Sequence, residues 1–439
     1  MIINKHKYNI FQRITTIITA ITTLALTLSV ASNASAHNVW APKAQSDVIA
    51  IRLDLATGAK IEDISAMYGT EVQHTFIELP GAYLVRALSG GDINKLVKEI
   101  AKDPHVLYAE IDAPSATPEA DPINIKAWGL DATPYVRQDV TRLLQLDRAH
   151  QISQGDGIVV AIIDTGIQLD HPALAPYLSP IRHDFLDDDA IPDDSANKLD
   201  DDGDGMIDEA AGHGTHIAGI IHLVAPKARI MPLRVLDSDG NGYLFQVVEA
   251  IAYAVNHGAN VINLSLGIKV KSRILSDAVQ YATEHGVVVV AAAGNLADSN
   301  AQYPAADDCA VGVNSVGAND ILSTFSSYGK WVDFAAPGEA IYSTFIGGGY
   351  ATWSGTSMAT PFVAGQAALL QSLDPTLSAR EIAGVIEHTA ISINQLKLNK
   401  EYHNSLGMGR INIGASLELL ASGRFKNSGQ KAIKGRCSR

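Results

Sequence analysis

Three short segments, far apart in a chain of 439 residues, each end an apolar stretch with a reactive group. Ile162-Ile163-Asp164-Thr165-Gly166 offers a carboxylate, Gly212-His213-Gly214-Thr215-His216 an imidazole, and Ser354-Gly355-Thr356-Ser357-Met358-Ala359-Thr360-Pro361 a hydroxyl. A serine hydroxyl is a poor nucleophile at neutral pH and needs an adjacent base. His213 is a candidate base, and Asp164 a candidate for fixing its tautomer and stabilising the imidazolium. The run from Met358 to Leu370 is apolar all round and rich in small residues, which predicts a buried helix. Pro361 is tolerable only near the first turn of that helix, so Ser357 is expected at its N-terminus. There the helix dipole and free backbone N–H groups favour developing negative charge.

The order Asp, His, Ser, the flanking residues, and an Ala293-Gly294-Asn295 segment between the His and the Ser are similar to the subtilisin-like serine proteases, the subtilases. The resemblance covers roughly residues 46 to 420. It implies a catalytic set of Asp164, His213 and Ser357, with Asn295 as side-chain donor to an oxyanion. His213 matches the family's catalytic His, which leaves His216 a structural role; a metal reading of the pair lacks the His-Glu-x-x-His helix pattern. Gly240-Asn241-Gly242 and Ser265-Leu266-Gly267 look like the family's two strands that grip the substrate backbone, where glycine lets an extended peptide approach and add as a strand. The implied activity is that of an endopeptidase on polypeptide substrates in unfolded or loop segments. A non-catalytic, calcium-dependent binding protein on the same scaffold is the competing class, and the completeness of the four-residue set speaks against it. A serine esterase would carry a Gly-x-Ser-x-Gly elbow, which is missing around Ser357.

The formal net charge is −14, and twelve carboxylates fall between Asp184 and Glu209 against one Lys198. So concentrated an acidic run argues for a bound cation or a solvated loop and against nucleic acid. Within it, Asp200, Asp202, Asp204 and Asp208 alternate around a Gly205 in sixth position, similar to the first part of a calcium loop. The twelfth position is Ala211 where an EF-hand has Glu, so the loop is not a full EF-hand. It does resemble the acidic loop before the catalytic His of thermitase-like subtilases, which implies structural Ca2+ held by Asp200, Asp202, Asp204 and Asp208. A second calcium site common in the family is expected to be absent, because Ala173 follows His171-Pro172 and the chain from His216 to Pro226 is too short.

These groups need a frame. Val159 to Ile163, Ile230 to Val235, Val261 to Leu266, Val287 to Ala293 and Val311 to Val316 are apolar, β-rich runs, with helical patterns at Tyr243 to His257 and Ile274 to His285. All-apolar strands alternating with helices predict an α/β fold, a parallel sheet covered on both faces as in subtilisin, with its site at the carboxyl ends of strands. Gly409 to Asn412 is expected to mark the last packed element. Ahead of this domain, residues 46 to 112 read as β-α-β-β-α-β: strands at Val48 to Leu53, Val72 to Leu79, Ala82 to Ala87 and Val106 to Ile111, helices at Ile61 to Tyr68 and Ile93 to Ile100. That is a small ferredoxin-like α+β unit. Its position resembles a subtilase propeptide, which implies an inhibitor and folding assistant for the same chain and a protein made as a zymogen; an independent small domain is the alternative.

The expected organisation is a secretory signal at 1–36, a propeptide and linker at 37–120, a peptidase domain at 121–420 and a basic tail at 421–439. The signal rests on Lys5, Lys7 and Arg13, an apolar Ile14 to Val30 and the small residues Ala34-Ser35-Ala36. Secretion to an extracellular or periplasmic space, a monomer, and no stable membrane association after processing follow as expectations. Only Cys309 and Cys437 are present, so the fold cannot depend on a disulfide framework; a bond between them and a buried free thiol are both open.

Overall fold

A computed structural model describes residues 47–77, 79–118, 126–425 and 437. The signal at 1–36, the linker around 119–125 and most of the basic tail lie outside the described residues. Among the described residues no helix is long and apolar enough to cross a membrane.

The leading unit runs β1 (Val48–Leu53), α1 (Ile61–Tyr68), β2 (Thr70–Phe76), β3 (Ala82–Ala87), α2 (Ile93–Ile100) and β4 (Val106–Ile111). The order follows the sequence reading, except that β2 starts earlier and ends at Phe76, short of Leu79. The strands form an antiparallel sheet in the order β2-β3-β1-β4. Period-two alternation on β1 gives this sheet two apolar faces. Ile49, Ile51 and Leu53 pack with Ile61, Ile64 and Ile100 of the unit's own helices. Val48 and Ala50 point the other way, into a core that the unit cannot close by itself.

A further short strand β5 (Pro114–Ala116) leads to the larger domain. That domain contains β6 (Lys126–Gly129), three short helices α3 to α5 (Thr133–Arg137, Asp139–Leu143, Leu146–Ala149), β7 (Val159–Asp164), β8 (His183–Asp184), α6 (His213–Val224) and β9 (Arg229–Arg234). It continues with β10 (Asn241–Tyr243), α7 (Leu244–Asn256), β11 (Val261–Leu264), α8 (Arg273–Glu284), β12 (Val288–Ala292), β13 (Val311–Val316) and β14 (Phe334–Pro337). Last come the hairpin β15 (Ile341–Phe345) and β16 (Gly349–Trp353), then α9 (Thr356–Leu373), α10 (Ala379–Thr389) and α11 (Ile413–Ala421). Seven strands in the order β14-β13-β12-β11-β7-β9-β8 form one parallel sheet. Along β7, Val160 and Ile162 face α6, α9, α10 and α11, while Ala161 and Ile163 face α7 and α8. Both faces are covered, which is why these strands lack polar alternation.

Three features depart from the sequence reading. The hairpin β15–β16, which pairs with β6, was not foreseen; its Ser, Thr and Gly content hides the strand pattern. The chain does not stop at Asn412 but uses that side chain, accepting from Ala415 N at 3.2 Å, to cap α11. Pro361 lies inside α9 in its second turn, not at its first. The proline has no N–H for the carbonyl of Ser357, four residues back, and that carbonyl accepts from Ser265 Oγ at 3.0 Å instead. Cys309 and Cys437 are joined by a disulfide that spans 128 residues of sequence.

The leading unit sits on the larger domain through its second apolar face. Val48, Ala50, Phe76, Leu84 and Tyr108 share a core with Val247 and Ile251 of α7 and Ala278 and Val279 of α8. Its acids satisfy two helix N-termini that would otherwise present bare N–H groups. Glu110 accepts from Arg273 N (3.0 Å), Ile274 N (3.1 Å) and Ser272 Oγ at the start of α8. Asp112 accepts from Phe245 N (3.2 Å) and the Ala113 carbonyl from Leu244 N (2.9 Å) at the start of α7. A carboxylate such as that of Glu110 at such a terminus contributes about 1 kcal/mol. Tyr108 Oη donates to Asp277 at 2.7 Å, and the Arg273 guanidinium lies 4.7 Å from the centre of the Tyr108 ring.

Burial pushes the Asp112 carboxyl up to about 7, against the pull of the Phe245 N–H and with the push of nearby Glu110. A docked pKa above the free value means that docking is undisturbed below about pH 4 and weakens as pH rises towards 7. Asp112→Asn cannot ionise. In full-length chain kept intact by Ser357→Ala, Asp112→Asn should therefore gain stability over Asp112 by about 1–3 kcal/mol between pH 4 and pH 7.5. Thermal melts at the two pH values check this, and a difference independent of pH would contradict it.

Candidate active site

Three neighbouring strands of the parallel sheet empty onto one edge. Asp164 ends β7, Ser265-Leu266-Gly267 follows β11, and Ala293-Gly294-Asn295 follows β12. Two helices bring their N-termini to the same edge. His213 is the first residue of α6 and Ser357 the second of α9. Asp164, His213 and Ser357 are all fully buried.

Asp164 Oδ1 lies 2.7 Å from His213 Nδ1 and accepts from Thr165 N at 2.8 Å. That contact orients the imidazole and directs its Nε2 away from the acid. The edge of the ring pair is closed by Trp353, whose indole packs edge-on against both His213 and His216. His216 Nε2 faces the carbonyls of Ile341 and Ala351 at 3.2 Å each, which ties α6 to the hairpin. Burial pushes His216 down to about 3, so it stays neutral. Ser357 Oγ donates to the Ser265 carbonyl at 3.2 Å, the reciprocal of the bond from Ser265 Oγ to the Ser357 carbonyl. Asn295 Oδ1 accepts from Thr356 N (3.0 Å) and Thr356 Oγ1 (2.9 Å), which fixes the plane of the amide beside Ser357.

One residue that the motifs do not reveal holds the two loops together. Asp194, fully buried, accepts from Thr165 Oγ1 (3.2 Å), Gly212 N (2.9 Å), Thr215 N (3.0 Å) and Thr215 Oγ1 (2.7 Å). It thereby fastens the segment after Asp164 to the first turn of α6. Burial pushes its carboxyl up to about 6 against those donors, and the Asp164 charge adds to the rise. In sequence it is one of many acids in the run before His213, and only its burial separates it from them.

The segments Gly240-Asn241-Gly242 and Ser265-Leu266-Gly267 lie on either side of β5, which belongs to this same chain. Ser115 and Ala116 pair with Gly242 and Asn241. On the other side Gly267 N donates to Ala116 O at 3.0 Å and Ala116 N to Gly267 O at 3.3 Å. Thr117 N then donates to Gly240 O at 3.0 Å. Gly240 has φ +80°, and a Cβ there would come within 2.5 Å of Thr117 Oγ1. Glycine at 240 is what lets the inserted backbone lie so close.

In the acidic loop, Asp200, Asp202 and Asp204 bring carboxylate oxygens within 4.8 Å of one another. Asp208 does not join them: its carboxylate accepts from Asn197 N and Lys198 N. All donors of the converging group are carboxylate oxygens, a set that fits a hard divalent cation such as Ca2+. Asp200 also accepts from the N–H groups of Gly203 and Gly205, so the loop is already curled around its first acid.

Residues 155–409 match the model of the subtilase family, and residues 33–112 match that of the fervidolysin N-terminal prodomain. The chain is 44% identical over 268 residues to thermitase of Thermoactinomyces vulgaris, covering 59% of this chain and 90% of that one. It is 39% identical to a thermophilic serine proteinase of Bacillus sp. (strain AK1), covering 70% and 73%. Its fold is similar to that of fervidolysin from Fervidobacterium pennivorans, described as a keratinolytic enzyme related to subtilisin, with a TM-score of 0.68 at 24% identity. That match covers 85% of this chain but 61% of fervidolysin, so it speaks for the fold alone. With the family model spanning more than half of its length, and a prodomain seated on two helices that cover a seven-stranded parallel sheet, the chain belongs to the subtilase family of serine endopeptidases.

Proposed function

We propose that the protein is a secreted endopeptidase, made as a zymogen, that cuts peptide bonds through Asp164, His213 and Ser357 with Asn295 as oxyanion donor. The observation that carries this reading is the path of its own chain. The antiparallel bridge between Ala116 and Gly267 sets residue 118, two positions on, opposite Ser265, and the Ser265 carbonyl is the one bonded to Ser357 Oγ. Pro118 has no N–H to compete for that carbonyl. A peptide laid along β10 and residues 265–267 thus delivers its next carbonyl to the serine. Ser357 attacks that carbonyl carbon while His213 takes the hydroxyl proton and later returns it to the leaving amine. The Asn295 amide and the N-terminus of α9 stabilise the tetrahedral oxyanion, and water then releases the acyl group by the same steps. The Cys309–Cys437 disulfide supports an oxidising, exported setting. Ca2+ on Asp200, Asp202 and Asp204 stabilises the acidic loop, with Asp208 shaping its entry by holding the backbone of 197 and 198.

The cut that frees the prodomain should fall after Pro118. N-terminal sequencing of the active form is expected to begin at Glu119, and Ser357→Ala should stay unprocessed and resist labelling by an organophosphate probe. An active form beginning before Ala116 or beyond Asp121, or labelling that survives Ser357→Ala, counts against the assignment.

An imidazole base must be neutral to accept a proton, so kcat/KM on a small peptide should rise through roughly pH 6–7 and then level off. Asp164→Asn should lower turnover by about 10⁴-fold in a folded protein, because the wrong tautomer then faces Ser357. Asn295→Ala should cost about 10²- to 10³-fold, mainly in kcat. A maximum well below pH 5 would point to paired carboxylates instead.

For the loop, calcium should raise the melting temperature of the wild type, since an ion that binds only the native state stabilises it by mass action. Asp200→Asn/Asp204→Asn should reduce that rise. Equal calcium responses in the two proteins would remove the loop from consideration.

A further inference from the structure

Behind the exposed loop lies a second group of acids. Asp202, Glu209 and Asp239 also bring carboxylate oxygens within 4.8 Å of one another. Glu209 is only 6% exposed and Asp239 only 1%. Both carboxylate oxygens of Glu209 are buried and meet no donor beyond the residue's own backbone N–H, although they face two other acids. Among the described residues no Lys, Arg or His forms an ion pair with any of the three. Asp239 is held as an acceptor by Asp201 N and by Asp208 N at 2.6 Å, and Asp202 Oδ2 accepts from Asn241 Nδ2 at 3.2 Å. A buried carboxylate left without a partner costs several kcal/mol, and a neighbouring carboxylate adds to that cost. A hard divalent cation bound by all three removes both penalties at once, and oxygen donors in this number leave room for water to complete the shell.

We propose that Asp202, Glu209 and Asp239 form a second, buried calcium site, sharing Asp202 with the loop site, that clamps the acidic loop to the strand gripping the substrate. Asp239 immediately precedes Gly240, whose carbonyl accepts the N–H of Thr117. The other side of the clamp is laced to the same strand by the bond from Ala210 N to Ser238 O at 2.9 Å. The site is therefore placed to set the position of the Gly240 carbonyl. This last clause rests on the reading of residues 240–242 as substrate-binding; the ion site itself does not.

The test is calcium titration by calorimetry, with thermal melts in chelator and in calcium, on full-length Ser357→Ala. It compares that parent with added Glu209→Gln and, separately, with added Asp200→Asn/Asp204→Asn. Glu209→Gln should lose one class of calcium binding or weaken it at least tenfold, while Asp200→Asn/Asp204→Asn keeps that class. In chelator Glu209→Gln should melt above the parent, because a buried charge has been removed, and added calcium should raise its melting temperature less. Glu209→Leu serves as a second variant with no polar group to satisfy. Unchanged calcium stoichiometry and affinity in the Glu209 variants would overturn the buried site, and if Asp200→Asn/Asp204→Asn alone lost binding the loop site would stand by itself. In the active enzyme with saturating calcium, Glu209→Gln should raise KM several-fold with kcat within about twofold; an unchanged KM would overturn the coupling to the substrate strand.

Discussion

Everything at the active edge depends on the register of three parallel strands. Leu264 of β11 lies level with Ile163 of β7 on one side and Ala291 of β12 on the other. Asp164 and Ser265 therefore leave the sheet side by side, with the 293–295 turn next to them. A slip of one residue would turn each apolar set to the opposite face, and both faces are buried, so slippage is heavily penalised. The helices that bring His213 and Ser357 follow from the same layer. α9 passes close enough to α6 that a Cβ on Gly365 would sit 2.6 Å from the Val224 Cβ. The small residues of α9 are a packing requirement that also sets how closely the helices carrying His213 and Ser357 approach.

Within that frame the polar groups are tied down mostly by backbone. Pro361 leaves the Ser357 carbonyl unpaired by its own helix, and Ser265 takes it up while receiving the Ser357 hydroxyl in return. Asp194 holds Gly212, Thr165 and Thr215. Asp164 and Asp194 are neighbouring buried acids with different work. One faces a ring that can carry a positive charge, while the other is held by N–H and O–H donors with the Arg234 charge in its neighbourhood.

Much of this was legible from residue order. The apolar runs located five of the seven parallel strands within a residue or two, because a strand buried on both faces cannot disguise its composition. The β-α-β-β-α-β unit was legible because each of its elements has a clean period. The hairpin β15–β16 was not, since Ser343 and Thr344 point at backbone carbonyls of α6 and so read as polar although they are buried. Pro361 was placed a turn too early because its missing bond is compensated by Ser265, 92 residues away in sequence. Spacing singled out Asp200, Asp202 and Asp204, whose oxygens converge, and with them Asp208, whose carboxylate faces the backbone of 197 and 198; the convergence of Asp202 with Glu209 and Asp239 does not show in spacing. Asp239 lies in a different loop, and no local pattern connects it with the run before His213.

The prodomain supplies acceptors for two helix N-termini and one wall of an apolar core, all from one continuous stretch of chain. Without that stretch, N–H groups in the first turns of α7 and α8 would turn to water, as would the helix faces that Val48, Phe76 and Tyr108 cover. Part of what holds the whole chain folded is therefore carried by a segment separate from the residues of the site. For a form lacking that segment, endurance would be a matter of barrier height, a lifetime and not a free energy.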